Sequence, residues 1–213
     1  ADRALAIAAG LGTTPRLAIR VNPDFDLKGS GMKMGGGAKP FGLDAERVPA
    51  LAKRIIAAGA EWRGFHIFAG SQALDADAIA ETQAQTLALA ARLADASGAA
   101  LPHCNLGGGL GIPYFPGDAA VDIASIGARL GEQFAKLPAV LAKTAFCIEL
   151  GRYLVGESGV YLTRIVDRKV LAAGQGHERD PAVGFSAEGA GVGPDEQARV
   201  GREHVLYPNA ARS

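Results

Sequence analysis

The chain has 213 residues, no net charge at pH 7 and 48% hydrophobic residues. A balanced charge does not indicate a nucleic-acid partner or an anionic membrane surface, and no apolar run approaches the roughly 20 residues that cross a bilayer. The two cysteines, Cys104 and Cys147, lack the spacing of a metal or redox pair, so we expect buried, reduced thiols in a cytoplasmic protein.

Short apolar runs alternate with amphipathic patterns along the first 150 residues. The alternation predicts four strands, over 16–21, 61–68, 101–106 and 144–150. Between them it predicts helices over 44–58, from 75 or 77 to 98, and over 122–138, with Asp44 and Asp122 as caps. Residues 26–42 are rich in glycine and lysine. They are read as a solvated connector, with a loop that contacts anions as the alternative.

Strands that alternate with helices indicate a parallel α/β sheet. Each predicted strand also ends in polar or glycine residues, at Arg20, Ser71, Gly107 to Gly109, and Glu149. Function collected at the carboxyl ends of parallel strands is typical of a (β/α)8 barrel, and four strands make half of one.

Three consecutive glycines, Gly107, Gly108 and Gly109, follow the third predicted strand. Without side chains, their backbone N–H groups can approach a bound anion closely. A phosphate loop is therefore one interpretation, and a tight turn packed against a helix is the other.

The pattern changes after about residue 156. Residues 160–166 alternate like an antiparallel strand, and 171–213 show no sustained period. We predict three regions: a partial barrel over 1–155, the start of a β-domain over 156–170, and an irregular or disordered tail over 171–213, for which a shifted reading frame is one possible cause. The chain also begins with Ala and in mid-pattern, so we expect a fragment of a longer protein.

The strand ends together indicate a cofactor. A carboxylate at Glu149 could hold a proton on a ring nitrogen, and Phe68 offers a flat surface for stacking. Donors for a phosphate are supplied by Ser71, Gly109, Gly151 and Arg152. A ring nitrogen, an aromatic face and a phosphate together describe pyridoxal 5′-phosphate.

Five short motifs in this order resemble one family. They are Arg20-Val21-Asn22-Pro23-Asp24, Lys39-Pro40-Phe41-Gly42, Gly64-Phe65-His66 through Gly70-Ser71-Gln72, Asn105 through Pro113, and Glu149-Leu150-Gly151-Arg152. The chain resembles the fold-type III pyridoxal-phosphate decarboxylases, which include diaminopimelate, ornithine and arginine decarboxylases. Within this family, the sequence around His66 and Glu149 is similar to that of the exosortase-associated decarboxylases.

The resemblance implies the C-terminal half of an alanine-racemase-like (β/α)8 barrel and a parent enzyme that decarboxylates an amino acid, diaminopimelate-like or related. It also implies a homodimer, with no nucleic-acid or membrane partner. Glu149, the one catalytic residue named, would pair with the pyridine nitrogen, with Arg20 nearby to keep it ionised, and Arg152 would reach the phosphate or the substrate carboxylate. The cofactor-binding set that follows is Arg20, His66, Phe68, Ser71, Gly107, Gly108, Gly109, Glu149, Gly151 and Arg152.

Departures from the family concern the substrate more than the cofactor. Phe68 replaces the histidine that usually lies against the ring, and Leu150 replaces a proline. His66, alone on an apolar strand, is read as a core histidine or, from its motif, as a cofactor contact.

The family's Schiff-base lysine would precede residue 1, so we expect this chain alone to be inactive. The alternatives are an amino-acid racemase, which usually places arginine at the ring nitrogen, a non-catalytic pyridoxal-phosphate binder, and a phosphate-binding barrel without pyridoxal. No metal is expected, because His103 and Cys104 are adjacent and point to opposite faces of a strand.

Overall fold

The computed structural model describes residues 1–30, 32–33, 41–115, 117–159, 165–170 and 183–187. The chain divides into two compact units, Ala1–Gly156 and Glu157–Ser213. None of the helices in the described ranges combines the length and apolar character that crossing a membrane requires.

The helices begin and end at residues that suit helix termini. The Asp75 carboxylate accepts hydrogen bonds from two backbone N–H groups of the long third helix, and the Asp122 carboxylate caps the fourth helix by accepting one, from the N–H of Ser125. Gly98, with φ of 62°, ends the third helix in the left-handed conformation that glycine tolerates. The helices are α1 (Asp2–Gly10), α2 (Val48–Ala57), α3 (Ala76–Ser97), α4 (Ile123–Phe134) and α5 (Gly151–Val155).

The prediction that Asp44 caps a helix is wrong. Its carboxylate Oδ1 accepts a hydrogen bond from Asn22 Nδ2 at 2.9 Å, and a 3-10 turn, Ala45–Arg47, separates it from α2. Asp44 pairs with Asn22 in the sheet, so its side chain is directed to the neighbouring strand and not to the helix N-terminus.

The first unit is built on five parallel strands in the order β3-β1-β4-β6-β7, which confirms the predicted parallel α/β sheet. A short antiparallel pair, β2 with β5, adds Met32 opposite Ser71, inside the range predicted to be a connector. The strands are β1 (Arg16–Asn22), β2 (Met32–Lys33), β3 (Leu43–Asp44), β4 (Glu61–Ile67), β5 (Gly70–Ser71), β6 (His103–Gly108) and β7 (Ala145–Glu149).

Side chains alternate between two faces of this sheet. One face packs against α2 and α3 and forms the main core, because apolar burial is the dominant favourable term in folding. Buried residues of the sheet on this core face are Ile19, Val21, Phe65, Ile67, Cys104 and Leu106. The residues between them, Arg20, His66 and Asn105, are only half-buried.

The two cysteines differ, which corrects the expectation of two buried thiols. Cys104 is fully buried, and burial raises the pKa of its thiol to about 12, so it stays protonated. Cys147 is exposed, because β7 is the edge strand of the sheet.

The second unit contains an antiparallel pair, β8 (Ile165–Val170) with β9 (Val183–Ala187). β9 lies inside the range predicted to be irregular; a five-residue strand is specified by its partner more than by its own sequence pattern. The rest of 171–213, and 160–164 of the predicted strand, lie outside the described residues. The predicted domain boundaries remain a prediction.

Candidate functional site

Backbone pairing aligns the half-buried polar residues in one row. Arg20 on β1 is opposite His66 on β4, and His66 is opposite Asn105 on β6. Neighbouring strands lie about 4.8 Å apart, so side chains in register on one face are in reach of one another. This row lies near the carboxyl ends of the strands, where function was predicted.

A one-residue bulge extends the row to Glu149. On β6 the pairing with β7 moves from Asn105 opposite Cys147 to Gly108 opposite Glu149. Three steps along β6 therefore match two along β7, and Gly107 absorbs the difference with φ of 75°. The bulge places Glu149 beside the triglycine segment, on the same edge of the sheet.

The Glu149 carboxylate lies between two side chains. Asn105 Nδ2 donates to its Oε1 at 2.9 Å, and His66 Nε2 lies 3.3 Å from its Oε2. Asn105 Oδ1 in turn accepts from the backbone N–H of Gly107 at 2.8 Å. About half of the Glu149 side chain, 51%, is exposed, so its other side is open to a ligand.

Burial lowers the pKa of His66 below its usual 6.5, because desolvation disfavours the imidazolium. The Glu149 carboxylate opposes this shift and the Arg20 guanidinium adds to it. His66 is therefore neutral at pH 7. Its Nε2 is buried and makes no well-aligned hydrogen bond, since the approach to Glu149 meets the distance of an ion pair but not the angles of a hydrogen bond.

Close backbone approach requires the three glycines. A Cβ at Gly107 would lie 2.6 Å from the carbonyl oxygen of Ile67, and one at Gly109 would overlap the carbonyl oxygen of Gly70. A Cβ at Gly108 would overlap the carbonyl oxygen of Glu149. The segment is therefore a bare backbone ledge between β4 and β7. The N–H of Gly107 is engaged by Asn105, so Gly107 contributes space and not a free donor.

An aromatic wall adjoins the ledge. The Phe68 ring centre lies 5.5 Å from the guanidinium carbon of Arg20 and 6.3 Å from the His66 ring centre. Arg20 also lies 5.3 Å from the ring centre of Phe41, which belongs to one of the family motifs but was not among the predicted site residues. That Arg20 helps to keep Glu149 ionised remains a prediction.

Arg152 belongs to a second group, which lies at the far end of the glycine segment. Its Nη1 donates to Gln72 Oε1 at 3.0 Å, and its guanidinium carbon lies 5.7 Å from the Tyr114 ring centre. Gln72 Nε2 donates to the carbonyl oxygen of Ile112 at 2.6 Å, and its φ is 58°, the only positive φ among the described residues other than glycine.

The remaining predicted residues lie next to these groups. Ser71 on β5 follows Gly70, whose carbonyl oxygen faces Gly109, and Gly151 opens α5 directly beyond β7. Asn105 was missed as a site residue, although its position two residues before the first of the three glycines is a sequence signal. Gln72 was named only within a family motif and not as a site residue, because its partners are 40 and 80 residues away.

Most of the first unit is similar to a family of known proteins. A family model described as "Pyridoxal-dependent decarboxylase, pyridoxal binding domain" matches residues 4–156. The L-glutamyl-[BtrI acyl-carrier protein] decarboxylase of Niallia circulans is 34% identical over 158 residues, which cover 73% of this chain and 37% of the relative. The diaminopimelate decarboxylase of Thermoplasma acidophilum is 30% identical over 153 residues, which cover 71% and 37%.

Solved structures of decarboxylases are also similar to this chain. A variant of diaminopimelate decarboxylase from Helicobacter pylori, complexed with L-lysine, superposes with a TM-score of 0.62 at 26% identity over 78% of this chain and 41% of that one. The prediction of part of an alanine-racemase-like barrel is thereby confirmed. The chain spans about two fifths of the length of the relatives it matches.

Proposed function

This chain belongs to the pyridoxal-dependent decarboxylase family, and from that premise we propose that it forms the cofactor-binding part of an amino-acid decarboxylase. The predicted cofactor, pyridoxal 5′-phosphate, is confirmed by the family model and the decarboxylase relatives. The observation that carries the proposal is the position of Glu149 beside Gly108 on one edge of the sheet.

The residues present fit this cofactor. The three glycines form a ledge without side chains, packed against the carbonyl oxygens of Ile67, Gly70 and Glu149, and the half-exposed Glu149 carboxylate lies next to it. Phe68 adds an aromatic face beside the ledge, and Arg152, held by Gln72, adds a cation beyond it. Phosphate, ring and ring nitrogen thus each have a group of matching chemistry.

When bound, pyridoxal phosphate supplies an electron sink for the electron pair left at Cα as carbon dioxide departs. Glu149 would hold a proton at the ring nitrogen, which strengthens that sink. Neutral His66 beside it adds no second positive charge to compete for the carboxylate. Phe68 would exclude water from one ring face, and Arg152 would bind the phosphate or the substrate carboxylate.

The substrate class that we propose is an α-amino acid, diaminopimelate-like or related. The relatives are named for diaminopimelate and for a glutamyl group on a carrier protein, and one is complexed with L-lysine. Similarity to the exosortase-associated branch, and a homodimer of the whole protein, remain predictions.

We also propose that this chain alone does not decarboxylate. Of the lysines whose side chains the structure describes, Lys28 pairs with Glu81 at 3.2 Å, Lys53 lies in α2, and Lys136 and Lys143 flank β7 at its amino end. Lys53, Lys136 and Lys143 lie away from the edge with Gly108 and Glu149, and the Lys28 ammonium is directed to Glu81 on α3. Reduction with borohydride in the presence of pyridoxal phosphate, followed by peptide mapping, tests this, and a stoichiometric pyridoxyl-lysine on this chain would contradict it.

Binding is the direct test of the proposed function. We expect the chain to bind pyridoxine 5′-phosphate, which carries the ring nitrogen and phosphate but needs no lysine because it has no aldehyde. Fluorescence titration measures the affinity, and Glu149→Gln should weaken it by roughly tenfold, the value of a hydrogen bond to a charged group. Equal competition by inorganic phosphate would instead indicate a phosphate site without specificity for the ring.

A further inference from the structure

One side chain connects the two parts of the site. Asn105 donates to Glu149 Oε1 at 2.9 Å and accepts from the N–H of Gly107 at 2.8 Å. An amide can do both at once, since its nitrogen donates and its oxygen accepts. The carboxylate and the glycine ledge are thereby tied to the same residue.

The same hydrogen bonds of Asn105 also stabilise a bulge in the backbone of β6. The bulge between Asn105 and Gly108 sets the register at which β7 presents Glu149, and Gly107 holds it with a positive φ. A single-residue bulge leaves a backbone N–H without a ladder partner. Asn105 Oδ1 supplies the partner, so the same amide that fixes the bulge also fixes the acid that the bulge positions.

A purely structural amide elsewhere in the sheet provides a contrast. Asn22 Nδ2 also donates to a carboxylate, Asp44 Oδ1, at 2.9 Å, but there the donor is 7% exposed and ties two strands together. Glu149 is 51% exposed, and a hydrogen bond to a solvated carboxylate adds little to stability. The contact of Asn105 with Glu149 orients the acid more than it stabilises the fold.

We propose that Asn105 is a positioning residue, which holds the Glu149 carboxylate and the Gly107 ledge in fixed relation so that ring nitrogen and phosphate are bound together. This inference rests on the proposed function, because the groups that it aligns are the two ends of the proposed cofactor site. In this role Asn105 would act through Glu149 and Gly107, the two groups that its side chain contacts.

A double-mutant cycle on the 213-residue chain tests the proposal with pyridoxine 5′-phosphate as the probe. Asn105→Ala should weaken binding by about tenfold in the wild-type chain and by no more than about twofold in the Glu149→Gln variant. Equal losses in both backgrounds would mean that Asn105 acts apart from Glu149, and would overturn the proposal.

A spectroscopic readout separates positioning from general damage. The ultraviolet band of a bound 3-hydroxypyridine differs between the protonated and the neutral ring, so it reports whether a carboxylate faces the nitrogen. Asn105→Ala should shift the bound probe toward the neutral ring. An unchanged band would contradict the proposal.

Urea unfolding without any probe separates lost stability from lost positioning. Asn105→Ala should lower the folding equilibrium constant several-fold through the lost hydrogen bond to Gly107, and by a similar factor in the Glu149→Gln background, because the contact with the solvated carboxylate adds little to stability. The matched control Asn22→Ala should also lower it equally in both backgrounds. If the wild-type chain binds no pyridoxine 5′-phosphate, the proposed function fails. If the chain binds the probe and Asn105→Ala weakens binding equally in both backgrounds, the Asn105 proposal fails.

Discussion

The two faces of the parallel sheet differ in chemistry although the same strands build both. Toward α2 and α3, Phe65 and Ile67 are at most 2% exposed and belong to one apolar core. On the other face His66, the residue between them, shares a row with Arg20 and Asn105. Alternate positions of one strand therefore serve stability and binding separately.

This separation has a physical basis. A charged or amide group on the core face would lose hydration without compensation, which costs several kcal/mol for a charge. On the opposite face, charged and amide side chains contact one another and remain accessible to a ligand. Substitutions on the core face should consequently lower the free energy of unfolding, whereas substitutions on the other face should mainly lower the affinity for the cofactor.

The largest effect is expected on the core face. Ile67 is fully buried, so Ile67→Ala should lower the free energy of unfolding by about 2–5 kcal/mol through lost burial and a residual cavity. Urea denaturation measures it. His66→Ala, one position away on the other face, should cost less than about 1 kcal/mol, because its Nε2 makes no aligned hydrogen bond to lose. Similar losses of unfolding free energy in the two variants would contradict the proposed difference between the two faces.

An intermediate effect is expected where the two parts of the site meet. A Cβ at Gly108 would overlap the carbonyl oxygen of Glu149, which is backbone and cannot rotate away, so β6 and β7 would have to separate. Gly108→Ala should cost about 1–3 kcal/mol of stability and abolish binding of pyridoxine 5′-phosphate.

Gly127→Ala is the matched control for this change. Nothing lies within 4 Å of the added methyl in α4, and alanine favours a helix by about 1 kcal/mol over glycine. This variant should be slightly more stable and bind normally. A Gly108→Ala variant that behaved like it would refute the close approach.

A smaller effect on stability, with a selective effect on binding, is expected for Glu149→Gln. The side chain is half-exposed, so the free energy of unfolding should change by no more than about 0.5 kcal/mol. Affinity for pyridoxine 5′-phosphate should fall, as measured by the same fluorescence titration. A large loss of stability would place Glu149 with the structural residues and not with the site.

Much of the fold follows from local patterns. Asp75, Asp122 and Gly98 mark helix ends through short-range hydrogen bonds and backbone conformation, and the sequence displays them directly. Asp44 failed as a cap because its partner, Asn22, is brought to it only by strand pairing.

The site divides in the same way. The glycines and Glu149 were recognisable as motifs, whereas the link through Asn105 depends on a bulge that no periodicity reveals. Gln72 was equally hidden, since its left-handed φ and its contact with Arg152 arise from elements far apart in the chain. The exposure of Cys147 depends on β7 being an edge strand, and strand order is not written in any single segment.

The smallest effect is the pH dependence of stability contributed by His66. An unfolded histidine has a pKa near 6.5, and burial lowers the pKa in the folded state. Between the two values the unfolded chain binds more protons, so stability falls as pH is lowered from about 7.5 through 6.5 and below. His66→Gln should flatten that part of the curve measured by urea denaturation at a series of pH values, and an unchanged slope would contradict a buried, neutral His66.

Its neighbours sharpen this prediction, because they act on His66 with opposite signs. The Glu149 carboxylate raises the pKa of His66, so Glu149→Gln should lower the midpoint of the imidazole titration followed by NMR. The Arg20 guanidinium lowers the pKa, so Arg20→Gln should raise the midpoint. Loss of burial alone would raise it in both variants. Opposite shifts therefore require that the three side chains share one face and sense each other's charge, which is the arrangement that distinguishes this face from the apolar core behind it.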